Sequence, residues 1–400
     1  MAALLVLMLG ASTAQAQLNA YVTNNGDTTL SVINTATNTV TSTIQLGATP
    51  GYLAIDPARS LAYVATNSPQ TVTVVNLLNN TVAAVIPVGV FPYSIALSAN
   101  GAFAYVTDTS SETVTVIDTA TNTVVASPAV EFSYGAALAP DGSLWVSQNS
   151  GDISVINTAT NTVTSTFPTG IDNPWNAGVF TPNGAVAYLA VNGNTLVMDV
   201  ATRTPIADIV TGGLEFGLAV TPDGAFVYQP FLGVGPGGVA VIDTASNTVV
   251  DTLLAGALPV EVAITPDGAF AYVTVADGTV SVINTATRTV VATVPVGGFP
   301  FGIKMARLAP TPLSQVQALI AQINALVSGG ALAPNKANPL LTKLDQVVKK
   351  LNEGQTNAAC GQLGAFVNQV NADIHNGTLT AAQGQALITA VNAIEASLGC

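Results

Sequence analysis

Few side chains in this 400-residue chain could do chemistry. His375 is its single histidine. A histidine-based triad, or a histidine-ligated zinc or haem centre, is therefore excluded from everything upstream of the last quarter. The sequence holds no Cys-x-x-Cys-His haem attachment and no Gly-x-x-x-x-Gly-Lys phosphate loop. His375 itself reads as a solvent-facing cap near a helix end. What remains is acidic. Glu131, Asp172, Glu215 and Glu261 fall at comparable places in four successive segments of the chain. Carboxylates gathered around one opening could hold Ca²⁺ or another hard cation through oxygen, or attract a cationic partner. Phe91, Tyr93, Phe132, Tyr134, Trp175, Phe216, Phe299 and Phe301 accompany them. Most of these rings are expected to pack between neighbouring segments. Trp175, beside Asn173-Pro174, is the best placed to meet a sugar, peptide or amine. The glycine-rich run from Gln229 to Gly238, which includes Phe231, reads as a mobile flap on a rigid scaffold. The candidate ligand-binding set is thus Glu131, Asp172, Trp175, Glu215, Glu261 and Phe231, and no residue is assigned a catalytic role.

The elements that would position these side chains repeat. An aromatic inside a short apolar strand recurs at Tyr21, Tyr63, Tyr105, Trp145, Tyr188, Tyr228 and Tyr272, at spacings of 40 to 44 residues. That period, built from strands alone, predicts a radial β-propeller. Four strands, a to d, make each unit. The clearest copy runs from Val260 to Val296. Its a–b turn is Thr265-Pro266-Asp267-Gly268, with counterparts at Pro140-Asp141-Gly142, Pro182-Asn183-Gly184 and Pro222-Asp223-Gly224. Asp or Asn opens the c–d turns at Asn34, Asp118, Asn157, Asp199, Asp243 and Asn284. These are read as turn formers, because their side chains can bond the backbone two residues on. Strand d tolerates Pro87, Pro128, Pro168 and Pro295. Proline lacks the ladder N–H, so d is the outer edge of each blade, and strand a lines the channel. The chain enters the repeats on a strand b, at Tyr21, and leaves them on an unpaired strand a, Phe301–Ala306. Six blades are complete, and a seventh is assembled from both ends of the repeat region as a clasp.

Composition bounds the address and the partners. With 49% apolar residues, 8% charged and a formal net charge of −13, the chain repels phosphate backbones, and nucleic acid is a disfavoured partner. No apolar run reaches the length of a bilayer span. Leu4–Leu9 followed by Ala14-Gln15-Ala16 fits a cleavable export signal over residues 1–16, although no Lys or Arg precedes the apolar core. In an exported protein, Cys360 and Cys400 fit a disulfide. It would close a loop of about 40 residues and contribute about 4 kcal/mol.

The Tyr21-Val22-Thr23-Asn24 strand with Asn34-Thr35-Ala36-Thr37-Asn38-Thr39-Val40, and Ala104-Tyr105-Val106-Thr107 with Ile117-Asp118-Thr119-Ala120-Thr121-Asn122-Thr123, resembles the YVTN-type β-propeller repeat. The resemblance spans residues 20–306. It implies the fold and an exported bacterial setting. It leaves activity open, since related propellers serve as lactonases, electron-transfer domains or binding modules.

After Pro310 the spacing becomes helical. Leu313, Val316, Leu319, Ile320, Ile323, Leu326 and Val327 share one face. Further helices carry Leu340–Leu351, Leu363–Ile374 and Leu387–Leu398, the last opened by the capping box Thr380-Ala381-Ala382-Gln383. A small four-helix bundle is expected over 309–400, stapled by Cys360 and Cys400. Phe366-Val367-Asn368-Gln369-Val370, with Gly377-Thr378-Leu379-Thr380 and Gln385-Ala386-Leu387-Ile388, resembles the FIMAH helical domain over about 312–399. That resemblance implies an accessory role and brings no catalytic residues.

The sequence therefore predicts a mainly β protein: an export signal (1–16), a seven-bladed propeller (17–308) and a helical bundle (309–400). It is read as a monomeric, secreted, periplasmic or surface-attached scaffold. It would bind an extracellular protein, glycan or small ligand at the channel mouth formed by the b–c and d–a loops. The alternative is a metal-dependent hydrolase or lactonase using the mouth carboxylates. No other cofactor is expected.

Overall fold

The computed structural model describes residues 17–171, 178–233, 237–308 and 310–400. The proposed export signal, Asp172 and Trp175 lie outside the described residues. Two compact units are present, Leu18–Leu308 and the C-terminal helices.

The first unit is seven antiparallel sheets, each an a-b-c-d blade. Blade 1 combines strand a from Pro300–Arg307 with b, c and d from Leu18–Asn24, Thr29–Asn34 and Thr39–Gln45. Blades 2 to 7 follow in chain order over 50–87, 92–126, 133–168, 179–210, 214–253 and 259–295. The clasp read from the sequence is therefore present, with Leu18 opposite Arg307 and Asn24 opposite Pro300. It continues past the strands, where Asn25 N–H donates to Phe299 O at 3.0 Å and Gly26 N–H to Gly298 O at 2.8 Å.

Burial explains the strand compositions. Seven apolar clusters make the core, each between two successive blades rather than within one. Strands b and c are covered on both faces, so apolar residues fall on both faces of them and their Thr and Ser are buried too. Strand d shows mainly its outer face to solvent, as in Thr289–Pro295, and alternates accordingly.

The repeat motif has a physical account in the blade junctions. Strand a bulges near its start, which leaves backbone groups without ladder partners. The Thr two residues after the aromatic repairs this. Thr274 Oγ1 accepts from Glu261 N–H of its own blade at 3.0 Å and donates to Phe301 O of the next at 2.8 Å. Thr23 does the same between Gly302 N–H and Gly51 O. Thr107 links Ser94 N–H to Tyr134 O. The aromatic makes a second tie. Tyr105 donates its hydroxyl to Asn161 Oδ1 at 2.7 Å and Tyr188 to Asn247 Oδ1 at 2.7 Å, each in the next blade. Tyr272 closes the ring by donating to Asn38 Oδ1. The acceptors Asn38, Asn161 and Asn247 occupy the left-handed position of the c–d turn, which Asn80 and Asn122 hold in blades 2 and 3 and where Asn is favoured over most residues. Arg203 and Arg288 hold the same position in blades 5 and 7. Each reaches back to the preceding blade, over the Phe167 ring at 5.4 Å and the Phe226 ring at 4.9 Å.

One sequence expectation is corrected. Gln229–Leu232 is not part of a flap, because strand b of blade 6 runs from Phe226 to Leu232 and pairs through Phe231 with Gly238. Blade 6 carries Pro230 where blades 1, 3 and 7 carry the linking Thr. Proline has neither the hydroxyl nor an N–H to offer strand a, and here strand a is split into Leu214–Glu215 and Ala219–Val220.

The helical unit contains α1 (Pro312–Ser328), α2 (Pro334–Asn352), α3 (Thr356–His375) and α4 (Ala381–Leu398). Thr311 caps α1, and Thr380 with Gln383 forms the expected reciprocal box on α4. Val316, Leu340, Leu363, Phe366 and Leu387 are among the residues of one shared core. Gly384 is required by the α3–α4 approach, since a Cβ there would sit 2.3 Å from Ile374. Cys360 and Cys400 are bonded, tying α3 to the chain end. His375 is exposed in the last turn of α3, as expected.

Candidate functional site

Strand a of each blade lines the channel, and cross-strand register shows which of its residues are equivalent. Opposite the repeat aromatic stand Ala54, Ala96, Ala137, Val179, Ala219 and Ala263 in blades 2 to 7. In blade 1 the same position, opposite Tyr21, is Lys304. The waist of the channel is therefore small and apolar except for one ammonium group.

Among the described residues Lys304 has one hydrogen-bond partner. Its Nζ donates to Glu261 Oε1 at 3.2 Å, across the junction of blades 7 and 1. Glu261 is 2% exposed, and its Oε2 has no hydrogen-bond partner. Burial pushes its carboxyl above the usual range, and Lys304 opposes that push. Gly217 of blade 6 makes the room for it, because a Cβ there would lie 2.9 Å from the Glu261 carboxyl carbon. The Lys304 side chain keeps 45% exposure, so donors remain free beyond the one it shares.

Aromatic rings roof this site on the side of the b–c and d–a loops. Phe301, Tyr52, Tyr93 and Tyr134, from blades 1 to 4, pack edge to face at centroid distances of 4.9, 5.3 and 5.5 Å. Tyr52 reaches across the channel and donates its hydroxyl to Phe216 O of blade 6 at 3.2 Å. Burial above all holds the Tyr52 and Tyr93 phenols well above their usual range, and the charge of Glu261 adds to it in both, so both stay neutral. Beneath the roof lies a cavity of about 300 Å³ lined by Tyr52, Tyr93, Ser94, Leu218, Glu261 and Lys304, among others. Past Lys304 the channel widens into a space of about 530 Å³ bordered by Phe180, Ile264, Met305 and the a–b turn residue Pro266.

The residues expected to share a mouth have separate fates. Glu131 is exposed on a loop. Glu215 is fully buried and spoken for: Oε2 accepts from Gly193 N–H at 2.9 Å, and Oε1 from Thr211 Oγ1 at 2.7 Å. Phe231 is half-buried, its ring filling the space left by Gly213 and Gly238. Of the described candidates only Glu261 lines the channel cavity. No group of three or more His, Cys, Asp or Glu that could hold a metal is found among the described residues. The aromatics also divide. Tyr93, Tyr134 and Phe301 form the roof, whereas Phe91, Phe132 and Phe299 are about half exposed in a left-handed backbone conformation. Sequence reasoning passed over Lys304, Tyr52 and Ser94. Lys304 was findable: aligning Phe301-Gly302-Ile303-Lys304 with Val260-Glu261-Val262-Ala263 puts a lysine where the repeat has alanine.

Solved structures resemble the propeller at 17–20% identity, a likeness that shows the fold alone. Hydrazine synthase from Kuenenia stuttgartiensis matches with TM-score 0.57 at 20% identity over 65% of this chain and 96% of that one. A functionally unknown protein from Desulfotomaculum acetoxidans matches with TM-score 0.60 at 17% identity over 73% and 99%. A candidate 6-phosphogluconolactonase from Bacteroides fragilis matches with TM-score 0.63 at 18% identity over 74% and 99%. No curated protein matches the sequence. Among the described residues no helix is long and apolar enough to cross a membrane. Residues 316–396 match the FIMAH domain, so the chain is a seven-bladed β-propeller followed by a FIMAH-type helical domain.

Proposed function

We propose that this chain is an exported, non-enzymatic binding protein whose propeller takes a small ligand into its central channel. The observation that carries the reading is the buried Glu261 paired with the half-exposed Lys304 on the wall of a roofed cavity, with Lys304 donors left over among the described residues. A charged pair buried for stability alone is a poor bargain, because desolvation offsets most of the attraction. Here Lys304 also interrupts a ring otherwise made of five alanines and Val179. The disulfide, the FIMAH-type domain and the signal-like residues 1–16 support an address outside the cytoplasm.

The hydrolase reading, which one structural relative's description brings to mind, would need carboxylates and a metal converging on one point. Glu131, Glu215 and Glu261 instead have three different environments, which favours binding over hydrolysis. The test is a thermal-shift panel of small acids, amines, sugars and short peptides on the whole chain. At least one class should raise the melting temperature of the native protein and not that of Lys304→Met. A panel with no effect, alongside tight binding of a large protein or glycan, would defeat the channel reading.

A further inference from the structure

We infer that the channel ligand is a small organic carboxylate with a slim apolar body, and that it binds together with one proton taken up at Glu261. The inference rests on the channel-binding reading. Ascending from the a–b turn side, a ligand meets Lys304, whose ammonium is the only cationic group among the described lining residues of both spaces. The Lys304 side chain is half exposed and lines both spaces, whereas Glu261 Oε2 is buried with no partner among the described residues. The first polar group offered is thus a donor with a positive charge, which selects an anion over an amine. One lysine beside a carboxylate is too little charge for a dianionic phosphate, whose sites gather several donors or cations. Level with Lys304 the wall is Ala54, Ala96, Ala137, Val179, Ala219 and Ala263, which suit methylenes rather than hydroxyls. The upper space, about 300 Å³, has the volume of roughly ten waters.

The proton follows from counting charge. A second carboxylate on Lys304 would place two anions around one cation in a desolvated site, and two such groups share a proton. The groups facing Glu261 are Lys304 from blade 1, the neutral Tyr52 and Tyr93 from blades 2 and 3, and the uncharged Gly217 from blade 6. Neither phenol can accept a proton, so Glu261 does. Solvent H⁺ adds to the Glu261 carboxylate, Lys304 passes from Glu261 to the ligand carboxylate, and no covalent bond to carbon changes.

Isothermal titration of the full chain with butyrate, hexanoate and octanoate, against hexylamine and hexanol, tests this at several pH values and in two buffers of different ionisation heat. The carboxylates should bind, with affinity falling about tenfold per pH unit on the alkaline side. The buffer dependence should report close to one proton taken up. Glu261→Gln should retain binding but lose its pH dependence. Lys304→Met should lose at least tenfold in affinity. The double variant Lys304→Met with Glu261→Gln, which removes both charges, gives the same loss in a chain with no stranded buried charge. Binding of the amine or alcohol in place of the acids overturns the ligand class and leaves the channel reading standing. Carboxylate binding with no buffer-dependent heat overturns the proton coupling. Silence of all three series, together with an unresponsive thermal-shift panel, removes the channel reading itself.

Discussion

Glu215 and Glu261 stand in adjacent blades, both buried, both near the start of strand a, and both held above the usual carboxylate range by desolvation. Their surroundings differ. Glu215 is met by Gly193 N–H, Thr211 Oγ1 and Gly213 N–H, and it joins the b–c turn of blade 5 to the d–a loop of blade 6. Glu261 is met by Lys304 alone and keeps one oxygen without a partner. One carboxylate is spent on the fold, and the other is left over after the fold is made. A buried acid is thus a poor marker of function until its bonds are counted.

The largest expected effect is on the structural acid. Glu215→Ala strands two N–H groups and a hydroxyl in a dry site and should cost about 4 kcal/mol in urea unfolding. A loss no larger than that of Glu261→Gln would erase the contrast. A third buried acid sharpens it. Asp108, accepting from Thr115 Oγ1, is pushed up to about 6 by burial, against an ordinary 3.8. Its folded state holds the proton more tightly than the unfolded chain. Stability from this group is therefore greatest below about pH 4 and declines as pH rises to about 6, by about 3 kcal/mol in all. Blade 1 places Asn24 at the equivalent site, where Nδ2 donates to Thr29 and Ser31. Asp108→Asn should copy that arrangement, and unfolding curves taken between pH 4 and 7 should flatten. A neutral bonded group sets the next step down: Tyr272→Phe loses the hydroxyl's bond to Asn38 across the clasp and should lower stability by about 1 kcal/mol. The smallest effect belongs to Glu261→Gln. An amide relieves the desolvated charge, and Lys304 is exposed enough to keep its water. Chemical denaturation should move by less than about 1 kcal/mol while ligand response changes. A large destabilisation there would make Glu261 structural after all.

Much of the architecture was legible in the residues. The aromatic recurring from Tyr21 to Tyr272, the Pro-Asp-Gly turns and the unpaired strand at Phe301 led to seven blades and the clasp, because each is a local demand on the backbone. Asp118, Asp199 and Asp243 behave as turn formers, their carboxyls held low by bonds from backbone N–H groups. The site was less legible. Glu131, Glu215 and Glu261 looked alike because position in a repeat says which loop a residue occupies, not which donors converge on it. Phe231 looked mobile because its glycines suggested a loop. Gly238 of that run, with Gly213, instead leaves the space that its ring fills.

The sequence alone determined the blade count, the strand order, the helical unit and its disulfide. Those depend on periodicity, turn chemistry and cysteine number, which act over a few residues or through simple closure. Only the tertiary structure decided that Lys304 meets Glu261, that Tyr52 spans the channel to Phe216, and that Glu215 is consumed by backbone donors. Those contacts join different blades, and their distances follow from how seven wedges close around one axis.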